Sequence, residues 1–256
     1  MSDILSICAE GPLRRLTLNR PEKRNALDAA LCRRLVEAIG EAAADRTVGA
    51  ILLDANGKDF CSGMDLEEAA TTDPDELLPL HQELFSIGER LCKPMVAAVH
   101  GGALAGGLGL ALNAHLVIAS RDARFGLTEV RVGLWPYLVF RAVAAAVGNR
   151  KATELALTAR IVDTDEACRI GIADIVVERK ELLAESRKVA LGAAEGSATA
   201  IEQGLSFVRR TLGMDESAAN KLAGEFRKAA HASADFKEGI RAFREKRRPR
   251  WPSRAI

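Results

Sequence analysis

Short apolar segments alternate with amphipathic segments through the first half of the chain, and this alternation constrains the fold more than any other feature. Apolar runs at 50–53, 95–99 and 115–120 indicate buried strands. The apolar spacing after Asp28, a good N-cap residue, predicts a helix before the first of these strands, and a second helix near 76–91 follows it. Strands separated by helices of this length pair in parallel through right-handed crossovers. The sequence therefore predicts an α/β core in which helices cover a sheet.

The two ends of the chain follow different patterns. Apolar stretches at 4–9 and 13–18 flank a Glu-Gly-Pro turn, which predicts a β-hairpin. After about residue 139 the pattern is mainly helical, with one strand near 172–177. Helices are predicted at 139–147, 150–158, 164–170, 180–195, 198–212 and 216–246. We expect one continuous domain, with an α/β core over residues 1–195 and a helical C-terminal region over residues 196–256.

Composition and charge exclude several classes of protein. The 256 residues are 48% apolar and 28% charged, which is typical of a folded globular protein with a hydrophobic core. The chain has 36 Lys and Arg against 35 Asp and Glu, so it lacks the broad positive field of a nucleic-acid or anionic-membrane binder. The N-terminus has no basic region followed by an apolar run, and no apolar run approaches the roughly 20 residues of a spanning helix. We therefore expect a cytoplasmic protein.

Cysteine and histidine usage argues against disulfides and against a metal site. The five cysteines are odd in number and widely spaced, and no two form a CxxC pair, which is typical of reduced thiols. The four histidines are scattered and share no metal-ligand spacing with the cysteines. We expect chemistry without a bound metal.

The glycine-rich segment 101–109 follows a predicted strand and precedes a predicted helix. It matches neither the dinucleotide pattern GxGxxG nor the P-loop pattern GxxxxGK. A helix N-terminus here would present unpaired N–H groups to a phosphate or to a developing oxyanion, and glycines would let a ligand approach the backbone. The alternative is that small residues serve only close packing of helix on strand.

A second glycine loop, 60–66, follows the strand that ends near residue 54. The N–H of Met64 in this loop could face a cleft at the strand ends, where open α/β sheets bind ligands. Two such amides, one from each glycine segment, would polarise a carbonyl and stabilise an enolate. The alternative is structural, since Gly63 could be a turn glycine and Cys61 a small packed thiol.

Several motifs occur together and in order along nearly the whole chain. They are Leu18-Asn19-Arg20-Pro21 with Asn25-Ala26-Leu27, the loop Phe60 to Leu66, Ala98-Val99-His100-Gly101 with Gly106-Gly107, Phe125-Gly126 with Glu129, Gly133-Leu134-Trp135-Pro136, and the tail Glu238 to Arg247. This set resembles the crotonase superfamily, the enoyl-CoA hydratase/isomerase family. The resemblance implies a ββα spiral core, a helical C-terminal region used in trimerisation, commonly a dimer of trimers, and an acyl-coenzyme A thioester as substrate. Coenzyme A is then part of the substrate, and no separate cofactor is implied.

The resemblance also implies roles for particular residues. The amides of Met64 and Gly106 correspond to the oxyanion hole of the family. Lys23 and Arg24 correspond to the loop that contacts the CoA nucleotide. Phe243 and Lys246 correspond to tail positions that reach CoA, often from a neighbouring subunit. Further residues of the CoA and acyl pocket are Ala26, Ser62, Asp65, Leu66, Gly107, Trp135 and Tyr137. Without the family, the basic tail 237–250 would be a solvated helical face or, less simply, a nucleic-acid patch.

The catalytic acid/base is where this sequence departs from the family. The strongest hydratases of the family hold a water between two glutamates, and here the second is Glu129 while the first position is Gly109. One glutamate suffices to move a double bond, by taking a proton from C2 and returning it at C4, so the sequence favours isomerisation of 3-enoyl-CoA to 2-enoyl-CoA. Hydration with one glutamate, other enolate reactions and a non-catalytic acyl-CoA-binding or RNA-binding relative stay as alternatives.

Two further alternatives concern carboxylates. On sequence alone, Glu129 could cap a helix or form an ion pair with Arg124 or Arg131. If Glu129 is catalytic, Leu134, Trp135 and Tyr137 should desolvate it and raise its pKa. An acidic residue from the loop after Met64, at position 65, 67 or 68, could also replace the missing partner.

Overall fold

A six-stranded sheet forms the centre of the computed structural model, which describes residues 3–254. Its strands are β1 (Leu5–Glu10), β2 (Leu13–Leu18), β3 (Ala50–Ala55), β4 (Met95–Val99), β6 (Leu116–Ser120) and β9 (Ile175–Val177), in the order β1-β2-β3-β4-β6-β9. β1 and β2 pair antiparallel as a hairpin, and every later pairing is parallel. The predicted hairpin and the predicted parallel α/β core are confirmed.

A second, smaller sheet lies beside the glycine-rich segment. It consists of β5 (Gly102–Leu104), β7 (Arg124–Gly126) and β8 (Val162–Asp163), in the order β5-β7-β8. The sequence patterns did not predict these strands, because a strand of two or three residues is too short to show a period of two. This sheet places the end of the glycine segment next to Gly126 and so next to the segment that carries Glu129.

The helices follow the predicted pattern with two differences, the short helix Leu66–Ala69, which the sequence did not predict, and the division of the last predicted helix. They are α1 (Ala29–Ala44), α2 (Leu66–Ala69), α3 (Pro74–Arg90), α4 (Gly106–Leu112), α5 (Phe140–Val147), α6 (Asn149–Thr158), α7 (Thr164–Ile170), α8 (Leu182–Ala194), α9 (Ala198–Thr211), α10 (Glu216–Ala232) and α11 (Ala234–Arg244). The prediction of one helix over 216–246 is wrong. Ser233 takes an extended conformation and accepts a hydrogen bond from the Phe236 N–H at 3.0 Å, so it ends one helix and caps the next.

Local sequence explains how α1 begins and which face it buries. The Asp28 carboxylate accepts a hydrogen bond from the Leu31 N–H at 2.8 Å, as its N-cap position predicts. Leu31, Leu35 and Ile39 are spaced four residues apart and are fully buried against the sheet. The predicted cap and apolar face are confirmed.

Both faces of the sheet are covered, which explains why its strands are continuously apolar. Ile51 and Leu53 of β3 belong to the main core beneath α1 and α3. Ala50 and Leu52, which point the other way, pack in a second cluster with Leu182 and with other residues of α8. Among residues 3–254, no helix combines the length and the hydropathy needed to cross a bilayer.

Candidate active site

The two glycine segments lie side by side at the carboxyl ends of β3 and β4. The Cys61 N–H donates to the Gly102 carbonyl at 3.0 Å, and the Leu104 N–H donates back to the Cys61 carbonyl at 3.0 Å. A Cβ on Gly107 would stand 2.1 Å from the Cys61 carbonyl oxygen, so this contact requires glycine. The close-packing alternative therefore applies to Gly107, whose role is to let the two segments touch.

Gly106 follows a residue with an unusual backbone. Ala105 has φ 50° and ψ −123°, a conformation that L-residues rarely adopt, and its N–H donates to the Gly126 carbonyl at 2.8 Å. The ψ angle of Ala105 sets the direction of the following N–H, which belongs to Gly106. The strained peptide is thus held from the second sheet and aims the first amide of α4.

Met64 lies between two hydrogen bonds to Leu27. The Leu27 N–H donates to the Gly63 carbonyl at 2.8 Å, and the Asp65 N–H donates to the Leu27 carbonyl at 3.0 Å, which leaves the Met64 N–H unused. A Cβ on Gly63 would stand 3.1 Å from the Gly106 nitrogen. Within residues 3–254, neither the Met64 N–H nor the Gly106 N–H donates a hydrogen bond to the protein. Two free amides therefore flank the contact between Gly63 and Gly106.

These amides border a cleft of about 470 Å³. Its lining is mainly apolar and comes from the two glycine segments, from α3 and from the segment that follows β7. The lining residues are Leu27, Ser62, Met64, Leu66, Pro74, Leu78, His81, Phe85, Ala105, Gly106, Thr128, Glu129, Val132, Leu134, Trp135, Pro136, Tyr137, Leu138 and Val139. The cleft has the size and the apolar character of a small-molecule site with a few polar groups.

Glu129 is the only carboxylate among these lining residues. It begins the short 3-10 helix Glu129–Val132, and its Oε2 is buried and has no hydrogen-bond partner within the described chain. Burial raises the pKa of the Glu129 carboxyl, and the backbone N–H groups of Thr128 and Glu129 oppose this only in part. Leu134, Trp135 and Tyr137 line the same cleft, but Tyr137 is 77% exposed, so their part in the desolvation of Glu129 stays a prediction.

The ion-pair alternative for Glu129 finds no support. Arg131 donates to the Ala159 carbonyl at 2.5 Å, and Arg124 donates to the carbonyls of Ala123 and Arg121. Neither guanidinium forms an ion pair with Glu129 within residues 3–254. A half-buried carboxylate that lines a cleft, forms no ion pair within the described residues and keeps one enclosed oxygen without a partner has the environment of a general acid/base.

Position 109 has no room for a second carboxylate. A Cβ on Gly109 would stand 2.2 Å from Cγ1 of Val139 and 2.6 Å from its Cβ. Val139 is buried and lines the cleft from the turn before α5. The missing glutamate therefore leaves no gap, because a valine from a distant part of the chain fills the position.

The acidic residues after Met64 are held elsewhere. The Asp65 carboxylate accepts from the N–H groups of Glu67 and Glu68 at the start of α2 and lies 3.1 Å from the Arg20 guanidinium. Glu67 pairs with Lys23 at 2.6 Å, and Glu68 accepts from the Ala29 N–H at 2.8 Å. None of the three lines the cleft, so they give no support to a replacement carboxylate.

The structure places some of the predicted site residues in the cleft and others outside it. Met64, Gly106, Glu129, Ser62, Leu66, Trp135 and Tyr137 line the cleft. Outside it lie Lys23, Arg24, Ala26, Asp65, Gly107, Phe243 and Lys246. The Arg24 guanidinium donates to Asp59 at 2.8 Å, and Asp59 accepts from the Gly102 N–H at 2.7 Å, so the Lys23–Arg24 loop is fixed beside the glycine segment. Phe243 is 83% exposed at the end of α11.

Sequence patterns gave no reason to select His81, although it lines the cleft. It lies on α3, where its helical spacing with Leu77 and Leu84 resembles that of core residues. Its imidazole has no hydrogen-bond partner within residues 3–254, and burial lowers its pKa. In the same part of the chain, no group of three or more His, Cys, Asp or Glu could hold a metal ion.

Known proteins resemble this chain over nearly its whole length. The family model for enoyl-CoA hydratase/isomerase matches residues 9–254. A putative enoyl-CoA hydratase of Thermus thermophilus is 35% identical over 240 residues, which cover 91% of this chain and 95% of that protein. A probable enoyl-CoA hydratase of Rhizobium meliloti is 36% identical over 258 residues, which cover 98% of this chain and 99% of that protein.

Solved structures agree with the sequence comparisons. An enoyl-CoA hydratase of Mycobacterium smegmatis superposes with a TM-score of 0.92 at 33% identity, covering 98% of this chain and 99% of that one. Human enoyl-CoA hydratase domain-containing protein 3 superposes with a TM-score of 0.92 at 28% identity, covering 97% of this chain and 100% of that one.

Proposed function

The chain belongs to the enoyl-CoA hydratase/isomerase family and has the crotonase-like α/β fold, and on this premise we propose that it isomerises a 3-enoyl-CoA thioester to the 2-enoyl-CoA thioester. The observation that carries this proposal is Glu129, whose Oε2 is buried without a partner within residues 3–254 and which is the only carboxylate lining the cleft, while position 109 has no room for a second one. Isomerisation needs one acid/base group, whereas the two-glutamate hydration of the family needs two.

The proposed reaction begins with the thioester carbonyl between the amides of Met64 and Gly106. These N–H groups stabilise negative charge on the carbonyl oxygen once a proton leaves C2. Removal of one such donor typically raises the activation barrier by about 3–4 kcal/mol. The amides need no reorganisation, because the bridges to Leu27 and Gly102 already hold them in place. They act as the oxyanion hole.

Glu129 carries the proton between two carbons. Its carboxylate takes a proton from C2, which forms a dienolate, and the resulting carboxylic acid gives the proton to C4, so the double bond moves from C3–C4 to C2–C3. Burial raises the pKa of Glu129, which makes the carboxylate a stronger base and also makes the acid form accessible during turnover. No water takes part, and atoms and charge balance within one catalytic cycle.

Hydration of a 2-enoyl-CoA thioester by Glu129 alone is the second candidate. It is favoured by the names of the relatives, among them a short-chain-enoyl-CoA hydratase of Clostridium acetobutylicum that is 32% identical over 244 residues. Loss of a positioned acid/base group usually costs about 10²–10⁴ in rate. We therefore expect any hydration to be much slower than isomerisation.

The remaining residues outside the cleft are proposed to bind CoA within a trimer. Lys23 is part of an exposed ion pair with Glu67 and could turn its ammonium toward a phosphate. The C-terminal helices expose large apolar side chains that a monomer would leave in water. They are Val208, Leu212, Met214, Phe236, Ile240 and Phe243. A homotrimer, or a dimer of trimers, would cover this surface and bring Phe243 and Lys246 to a neighbouring site. A cytoplasmic location also stays a prediction.

A comparison of two substrates tests the function. Purified protein should convert 3-hexenoyl-CoA to 2-hexenoyl-CoA and should hydrate crotonyl-CoA far more slowly, as measured by the absorbance of the conjugated thioester. Glu129→Gln should lower kcat for isomerisation by about 10²–10⁴ with little change in KM. Glu83→Gln, on the exposed face of α3, is the matched control and should behave as the wild type.

Three results would contradict the proposal. Rapid hydration of crotonyl-CoA that survives in Glu129→Gln would assign the chemistry to another group. Faster hydration than isomerisation by the wild type would favour the hydratase. Binding of both thioesters without turnover of either would identify a non-catalytic acyl-CoA-binding protein.

A further inference from the structure

A second cavity adjoins the cleft on the side of Met64, and Gly106 does not line it. It has a volume of about 490 Å³ and shares with the cleft the residues Met64, Leu66, Pro74, Leu78, His81, Val132 and Leu134. Its other walls come from α2 and from the start of α3, including Ala69, Thr72 and Leu77. The acyl end of the site is therefore larger than a four-carbon chain requires, and it runs between α2 and α3.

His81 is the only residue with a polar side chain that lines both cavities. It is 8% exposed, and its imidazole forms no hydrogen bond within residues 3–254. Its ring nitrogens are not among the enclosed polar atoms that lack a partner, so they are accessible from the cavities, where a ligand or a water can complete their hydrogen bonds. His81 therefore offers a hydrogen-bonding side chain, within a mainly apolar channel, to a polar group of the ligand.

The position of His81 can be stated relative to the reacting carbons. Phe85 follows it one turn later on α3, with ring centroids 6.2 Å apart. The Cζ of Phe85 stands 3.2 Å from the place of a Cβ on Gly106, next to one of the free amides. The imidazole thus lies one helical turn along α3 from the ring that approaches Gly106, and it also lines the second cavity, which we assign to the middle of an acyl chain rather than to its thioester end.

The charge states of His81 and of nearby Asp75 determine which polar group on an acyl chain could bind beside the imidazole. Burial lowers the pKa of His81, so its imidazole is neutral near pH 7 and offers one donor and one acceptor. Asp75 lines the second cavity and would repel a carboxylate. A hydroxyl can accept from the ring N–H or donate to the other ring nitrogen, whichever tautomer is present, whereas a carbonyl oxygen can only accept.

We propose that the site takes acyl-CoA thioesters that carry a hydroxyl group several carbons beyond the reacting carbons, and that His81 recognises this hydroxyl. This inference rests on the proposed acyl-CoA function and adds a substrate class to it. His81 acts here as a specificity-determining residue, while Glu129 remains the acid/base.

Binding of saturated thioesters tests the proposal separately from catalysis. Titration calorimetry should compare octanoyl-CoA with its 5-, 6-, 7- and 8-hydroxy derivatives and with the CoA thioester of octanedioic acid, none of which can isomerise. One hydroxy isomer should bind the wild type about tenfold more tightly than octanoyl-CoA, as expected for one buried hydrogen bond. The thioester with a terminal carboxylate should bind more weakly than octanoyl-CoA.

Variants on α3 assign the preference to the imidazole. His81→Leu should bind octanoyl-CoA and the preferred hydroxy isomer with about equal affinity. His81→Gln, which keeps a donor and an acceptor, should retain part of the preference for the hydroxy isomer. Gln82→Leu removes a polar group from the exposed side of the same helix and should retain the full ratio. Thermal unfolding of each variant shows whether it is folded.

Distinct outcomes separate this inference from the proposed function. If no hydroxy isomer binds the wild type at least threefold more tightly than octanoyl-CoA, the imidazole holds only water and the inference is wrong. If the preference survives in a folded His81→Leu variant, another group recognises the hydroxyl. If the preference is present but 3-hexenoyl-CoA is not turned over, the recognition site stands and the isomerase proposal fails.

Discussion

The two walls of the cleft are built from different parts of the polypeptide. The amide wall, residues 61–65 and 103–107, offers backbone N–H groups, and bridges between distant segments hold it in place. The acid wall, residues 128–139, offers the Glu129 side chain inside an apolar lining. The geometry of the amide wall depends on close backbone contact, whereas the chemistry of the acid wall depends on a carboxylate that forms no ion pair within the described residues. Substitutions in the first should therefore act mainly through stability and geometry, and those in the second through chemistry.

The strongest test of this comparison is a second carboxylate at the point where the acid wall touches α4. Gly109→Glu should destabilise the protein by about 1–3 kcal/mol or more, because its Cβ would overlap Val139. Adding Val139→Gly to Gly109→Glu should recover part of the lost stability. This double variant should also hydrate crotonyl-CoA faster than the wild type does. Urea unfolding and the hydration assay measure the two effects.

Val139→Gly alone is the control for the cavity that the double variant contains. The two substitutions should show a favourable coupling free energy, since one removes the atoms that the other needs to displace. A Gly109→Glu variant as stable as the wild type would mean that position 109 can open, and the single-carboxylate argument would lose its physical basis.

A smaller effect is expected on the amide wall at Ala105. Ala105→Gly relieves a backbone conformation that costs about 1–3 kcal/mol for an L-residue, and the greater freedom of glycine in the unfolded chain offsets about 0.5–1 kcal/mol. The expected net gain is about 1 kcal/mol in the free energy of unfolding, with a fall in kcat if the Gly106 N–H becomes less fixed. Urea unfolding and isomerisation kinetics measure both.

Ala111→Gly, within α4, is the matched control and should lose about 1 kcal/mol, because its backbone is helical. If Ala105→Gly loses as much as this control, the conformation at 105 carries no strain.

The smallest expected effect concerns how much the Glu129 carboxylate lowers the free energy of unfolding. The folded-state pKa of Glu129 lies above its unfolded value, so the native state binds more protons between the two values and stability falls as pH rises through this window. At pH 7 Glu129→Gln should therefore raise the melting temperature, by a few degrees or less. As pH falls below the ordinary value of 4.5 the carboxyl becomes protonated in both states, and the difference should fade.

Thermal unfolding between pH 4 and pH 8 measures this difference. A melting temperature that is higher for the wild type at pH 7 would show that Glu129 has a stabilising partner. That result would return the residue to a structural role.

Local patterns predicted much of the fold because they depend on nearby residues. Asp28 and the spacing of Leu31, Leu35 and Ile39 identify α1 without any distant contact. The continuous apolar run of β3 predicts a strand buried on both faces. The break at Ser233 was missed because the apolar spacing continues across it, and only the change of backbone direction shows that the serine caps a new helix.

The candidate site was predicted in part, and the missed residues show where local patterns fail. Motifs of the family identified Met64, Gly106 and Glu129, and these three line one cleft. His81 carried no signal, because its spacing with Leu77 and Leu84 resembles that of a core residue. Whether a residue on an apolar helical face meets the core or a cavity depends on what packs opposite it.

By itself, the sequence determined the α/β alternation, the glycine segments, the lone acidic residue at 129 and the glycine at 109, since all of these are choices of residue type along the chain. Only the tertiary structure decided that Met64 and Gly106 border one cleft, that Val139 fills position 109 and that Oε2 of Glu129 has no partner within residues 3–254. The physical reason is that each of these facts concerns the distance between segments far apart in sequence, and that distance is set by how the sheets and helices pack.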